Sequence, residues 1–240
     1  MTLSKNSFFY VIVFFALALR IASEPTANIS YFVLALLALS GKKAAIQALA
    51  LCWLFTLLSA GIAPPASLGG LGRYAIILAA AVSVFARYRP SQYQPAQKRI
   101  VLLTLAMGLF FLMHSLLFSV VKDVSILKVV SWTVTVVTLF AAWGSFTAVQ
   151  SEQLKRQLFN GLMLVMLVSL PLAAVPLGYL RNGAGFQGIL NHPQAFGATM
   201  AILGVSFVMG MLTLARPSWK IILVSGLCLG LVLLSEARTA

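Results

Sequence analysis

The residues of this chain best suited to chemistry are basic. Arg73, Lys128, Arg181 and Arg238 each stand beside a long apolar run, where the outer ends of four different helices would fall if those runs cross a bilayer. A guanidinium holds phosphate oxygens in bidentate fashion and stays charged at any physiological pH. Brought together, these four would make an anion site at the membrane boundary, where ionisable groups are candidates for function. The plainer reading is partial pairing of outward charges: Arg20 with Glu24, Lys122 with Asp123 and Arg238 with Glu236, the rest being solvated.

A second concentration of unusual residues spans positions 178–197, GYLRNGAGFQGILNHPQAFG. Gly183, Gly185 and Gly188 allow positive φ and close backbone approach to a ligand. Pro193 suits the first turn of a helix, with Asn191 or His192 near its cap. A hairpin with a capped re-entry helix would explain the Gly, Asn and Pro, but not Arg181 or the apolar Phe186, Ile189 and Leu190. Only His192 and His114 offer imidazole, so neither a metal nor a cofactor is expected. His114, two-thirds along an apolar run, is read as a helix–helix hydrogen bonder rather than a catalytic group.

The elements that must position these residues follow from composition. Of the 240 residues, 61% are hydrophobic and 9% charged, against about 25% charged in soluble domains. That excludes a soluble globular enzyme, a disordered chain, a disulfide-stapled domain and a collagen-like fibre. Long unbroken apolar runs replace the alternation of a β-barrel. Cys52 and Cys228 fall inside apolar runs and read as buried thiols. The fold expected is all-α: a polytopic transmembrane bundle forming one integral-membrane domain over residues 1–240. A span needs about 20 apolar residues, which places nine near 8–23, 27–40, 44–62, 72–86, 100–121, 126–146, 158–178, 196–214 and 221–234. The first is read as an uncleaved span. Pro171 and Pro176 would kink the seventh near its outer end.

In a soluble chain the net charge of +13 would suggest nucleic acid; here membrane topology accounts for the charge and no nucleic acid is expected. With a cytoplasmic N-terminus, 11 of the 17 basic residues fall inside and 6 outside, the bias the positive-inside rule requires. Tyr88 and Trp219 then anchor the inner interface, Tyr74 and Tyr179 the outer. Residues 179–195 become a glycine-rich loop on the periplasmic side. No internal repeat supports an inverted-repeat transporter.

The stretch Phe186-Gln187-Gly188-Ile189-Leu190-Asn191-His192-Pro193-Gln194-Ala195-Phe196-Gly197 resembles the F-x-G-I…H-P-N-x-x-G segment of O-antigen ligase-like proteins. About 40 residues later, Leu234-Ser235-Glu236-Ala237-Arg238-Thr239-Ala240 resembles the S-x-S-R-[TG] segment of that superfamily, which includes O-antigen ligases, O-antigen polymerases and exopolysaccharide proteins. Gln194 stands where the family usually has Asn, and Ala237 where Ser is common. The resemblance implies a metal-independent glycan transferase of the bacterial inner membrane. Its donor would be a glycan linked to undecaprenyl pyrophosphate and its acceptor a lipid or glycan hydroxyl, with membrane lipids around it. The family's arginines hold the pyrophosphate. That role carries over to Arg238 and less directly to Arg181, with Arg73, Lys128 and His192 as further substrate-binding candidates. Fixed positive charge would stabilise the leaving diphosphate as its charge develops. The family's general base is a histidine in a large periplasmic loop further along, so the catalytic residue is expected beyond Ala240 and the chain is read as the N-terminal part of a protein with ten or more spans.

Two other readings compete. A lipid-linked oligosaccharide flippase, or another transporter, would use the same outward arginines, but should carry polar groups along the inner half of the path, where these spans have almost none. A structural envelope protein would use the charges for topology alone.

Overall fold

The computed structural model describes residues 5–87, 95–180, 183, 185–214 and 218–236. Among these the chain is helical, with no strand beyond two isolated bridges. The α-helices are α1 (Lys5–Ala22), α2 (Glu24–Leu39), α3 (Lys42–Leu57), α4 (Gly69–Ala86), α5 (Pro95–Phe118), α6 (Lys122–Trp143), α7 (Ala148–Ser169), α8 (Pro193–Thr213) and α9 (Trp219–Leu234). Each expected span meets one of them. Five apolar helical segments are long enough to cross a membrane: α4, residues 97–118 of α5, α6, the stretch from Ala148 to Ala174 and α8. Their outward faces carry large apolar side chains, among them Leu102, Leu109, Phe118 and Leu212, as lipid-facing helices require.

Local chemistry sets the boundaries. Ser23 caps α2 and Thr26 reaches back to the Ser23 amide, a capping box that turns the chain sharply after α1. Two ends fall short of the apolar runs. The seventh run continues to 178, but α7 stops at Ser169 and the chain tightens into 3-10 turns at Leu170–Ala174 and Pro176–Gly178. Pro171 and Pro176 lack the amide that an α-helix needs, so the expected kink is an unwinding instead. The third run continues to 62, yet α3 ends at Leu57, because the backbone beyond it pairs with a distant loop.

The chain divides into two compact units, residues 1–53 with 65–154, and residues 54–64 with 155–240. In the first, Tyr31 of α2 packs into the space left by Gly72 of α4. Arg87 closes the other end, donating to the Leu39 carbonyl at 3.1 Å and the Ser83 hydroxyl at 2.7 Å. Gly108 of α5 lets Thr133 of α6 approach, and Phe111 meets Trp132 edge-on. Arg20 engages the Tyr31 hydroxyl rather than Glu24. In the second unit a core of Leu58, Met166, Phe186, Leu190, Phe196, Met200, Leu203 and Cys228 joins α7, α8 and α9. Both cysteines are free and buried, and the Cys228 thiol lies 3.6 Å from the Met166 sulfur.

Candidate functional site

At one end of the second unit the chain between α7 and α8 folds back on itself. The Gly178 carbonyl accepts from the amides of Gln187, at 2.8 Å, and Gly188, at 3.1 Å. Gly183, Gly185 and Gly188 all have positive φ, at 75°, 71° and 56°, as their spacing allowed. Two of them also lack room for a side chain. A Cβ on Gly185 would stand 2.9 Å from the Ser235 carbonyl oxygen, and one on Gly188 2.5 Å from the Ser169 hydroxyl.

The apolar residues of this loop are its anchors. Phe186, Ile189 and Leu190 are buried, and the Phe186 ring meets Tyr179 and Phe196 at centroid distances of 5.3 and 5.1 Å. Tyr179 packs into the loop and donates its hydroxyl to the Ala173 carbonyl at 3.1 Å. The buried Ser169 hydroxyl accepts from the Ile189 amide at 3.1 Å. Beyond α3, the Ser59 amide donates to the Ile189 carbonyl at 2.9 Å, and the Asn191 amide to the Leu57 carbonyl at 2.7 Å. The end of α9 joins from another direction, with Phe186 N–H donating to the Leu234 carbonyl at 3.1 Å. Among the described residues, the two stretches that carry the family resemblance thus meet through the backbone hydrogen bond between Phe186 and Leu234.

His192 caps α8. Its Nδ1 accepts from the Gln194 amide at 3.2 Å, with Pro193 in the first turn. Past α9, Glu236 has a φ of 52°, the left-handed region that few residues but glycine occupy without cost. Strain of that kind clusters at functional sites.

The loop, the 3-10 turns and the segment after α3 enclose a cleft of about 1200 Å³. Its walls combine apolar Val175, Pro176 and Leu177 with neutral polar Ser59, Tyr179, Gln187 and Asn191. No described lining residue is charged. The described walls therefore offer hydrogen bonds and apolar contact, suited to a neutral polyhydroxylated group, while charge would have to come from elsewhere. Arg181 and Arg238 lie outside the described residues, as do Tyr88, Arg89 and Arg216. Leu180 and Gly183, on either side of positions 181 and 182, both line the cleft.

Arg73 and Lys128 belong to the first unit. Arg73 donates to the Tyr74 hydroxyl at 3.1 Å and lies 5.0 Å from that ring's centroid. Lys128 is an exposed side chain of α6. His114 does not make the expected helix–helix hydrogen bond among the described residues. It contacts the rings of Phe110 and Phe118 in its own helix. Among the described residues no three His, Cys, Asp or Glu side chains converge to hold a metal ion.

Reading the sequence missed Ser59, Ser169 and Gln187. Ser59 and Ser169 are ordinary polar residues in or beside apolar runs and Gln187 lies in the glycine-rich loop itself; only folding reveals their partners. A serine two residues before Pro171 was the one available signal.

The chain matches no protein-family model, no curated protein and no solved structure.

Proposed function

We propose that this chain is a membrane glycan transferase of the O-antigen ligase or polymerase type. All nine helices would cross the bacterial inner membrane with the N-terminus cytoplasmic, so that the glycine-rich loop faces the periplasm. Arg181 and Arg238 would hold the pyrophosphate of an undecaprenyl-linked glycan, and the neutral cleft would receive sugar. An acceptor hydroxyl would then displace the lipid diphosphate, whose departing charge the guanidiniums stabilise.

The observation that carries this reading is the Phe186–Leu234 hydrogen bond. It ties the glycine-rich loop, which contains position 181, to the end of α9, four residues before Arg238. The positive φ of Glu236 at the same end adds a strained backbone close to that arginine.

Surface-glycan assembly by the native protein tests the reading in cells carrying Arg181→Ala or Arg238→Ala, with membrane levels checked alongside. Loss of glycan transfer in both, at normal protein level, is the expected result. Normal glycan in both defeats the assignment. Purified protein in vesicles that moves lipid-linked glycan across the bilayer with no acceptor present, yet transfers none when acceptor is supplied, would make it a flippase.

A further inference from the structure

The cleft of the second unit carries its polarity in an unbalanced form. Gln187, 7% exposed, donates its Nε2 to the Tyr179 carbonyl at 3.1 Å. Asn191 donates its Nδ2 to the Thr56 carbonyl at 3.3 Å. A backbone carbonyl takes only a donor, so these two bonds fix which way each amide is turned. Gln187 Oε1 and Asn191 Oδ1 are left to the cleft their residues line, with no donor among the described residues. Ser59, 5% exposed, accepts the Gly61 amide at 3.3 Å and keeps its own proton to give. Tyr179 spends its hydroxyl proton on Ala173. The described side chains therefore offer two amide acceptors and one hydroxyl donor.

Such a set selects its ligand. Neutral acceptors in a partly desolvated wall bond hydroxyl or amide protons and repel carboxylate or phosphate oxygens, which bring no proton. A site built to bond hydroxyls also rejects molecules that leave its buried polar atoms unpaired. The opposite wall is apolar: Leu177 leans over Gly61, where a Cβ would stand 2.6 Å from Leu177 Cδ1, and Val175 and Pro176 continue the surface. A pyranose fits both walls, with hydroxyls along its edge and C–H groups on its faces. At about 1200 Å³ the cleft exceeds the roughly 300–1,000 Å³ of sites for drug-sized ligands, which leaves room for more than one ring.

We propose that Gln187 and Asn191 are specificity-determining residues that make this cleft a subsite for uncharged sugar units and exclude acidic ones. The proposal rests on the reading of the chain as a glycan transferase and adds to it which glycans the cleft admits. Gln187 Oε1 and Asn191 Oδ1 accept from sugar hydroxyls, and Ser59 donates to a third.

Saturation-transfer NMR on the full chain in lipid nanodiscs, free of glycoside detergents, tests this with methyl β-D-glucopyranoside and the corresponding methyl glucuronide. The glucoside should bind at least about tenfold more tightly than the glucuronide. Gln187→Met, which removes the acceptor at similar length, should weaken the glucoside by about fivefold or more. Asn191→Lys, at an exposed position, should reverse the preference, an outcome that a merely structural role for Asn191 would not produce. Equal binding of the two probes by the native chain, a preference for the glucuronide, or an unaltered preference in Asn191→Lys overturns the proposal. Should Gln187→Met fail to fold, Asn191→Lys decides alone. Absence of glucoside binding, with glycan transfer still lost in Arg181→Ala and Arg238→Ala, overturns the subsite and spares the transferase reading. Selective glucoside binding with normal surface glycan in both arginine variants supports the subsite and defeats that reading.

Discussion

The amide of Phe186 donates to the carbonyl of Leu234 at 3.1 Å, joining a loop that precedes α8 to the last residue of α9. The final carbonyls of any helix lack partners within it, and here a loop amide supplies one. The Phe186 side chain, fully buried against Tyr179 and Phe196, holds that amide in place. Apolar anchoring of the loop and capping of the helix are therefore one arrangement.

The glycines of this loop should differ in their tolerance of a methyl group. Gly188→Ala incurs about 1–2 kcal/mol for left-handed backbone. It incurs a further cost of about 1–3 kcal/mol for crowding Ser169 and Phe196. Gly183→Ala incurs only the first, because nothing lies within 4 Å of its added Cβ. Thermal unfolding of the two variants should rank Gly188→Ala well below Gly183→Ala, and equal losses would mean that the loop does not pack on Ser169.

Ser169 matters through a single hydroxyl. Ser169→Ala leaves the Ile189 amide buried without an acceptor, a loss of about 1–3 kcal/mol. Hydrogen exchange should show faster opening at Ile189 and Leu190 while the middle of α8 stays protected. Unchanged exchange at Ile189 would show that water or another group takes the amide.

His192 offers a way to separate capping from substrate contact. Because its Nδ1 accepts from the Gln194 amide, His192→Asn should keep stability near that of the native chain, whereas His192→Ala should lose about 1 kcal/mol. If the imidazole serves only as a cap, surface-glycan assembly in His192→Asn stays at the native level. Native stability with lost assembly would give the ring a direct role on substrate.

Much of the frame was legible in the residues themselves. Long apolar runs can only be helices when the backbone must satisfy its own hydrogen bonds in lipid. Each of the nine runs meets a helix among the described residues, five helical segments being long and apolar enough to cross a membrane. The positive φ of the three loop glycines and the capped start at Pro193 also followed from local rules, since both depend on one or two residues and their immediate neighbours.

What depended on distant partners was not legible. Nothing in residues 58–62 says that α3 must end at Leu57; the loop near Ile189 takes up that backbone, and its position depends on packing around Phe186. Arg20 illustrates the same limit, for Glu24 is its neighbour in sequence while Tyr31 holds it in space. Periodicity and charge along a chain determine which segments are helices and which residues favour water. The partners of a buried amide or guanidinium are decided only when helices pack, because desolvation makes each such group depend on whatever atom is brought within about 3 Å of it.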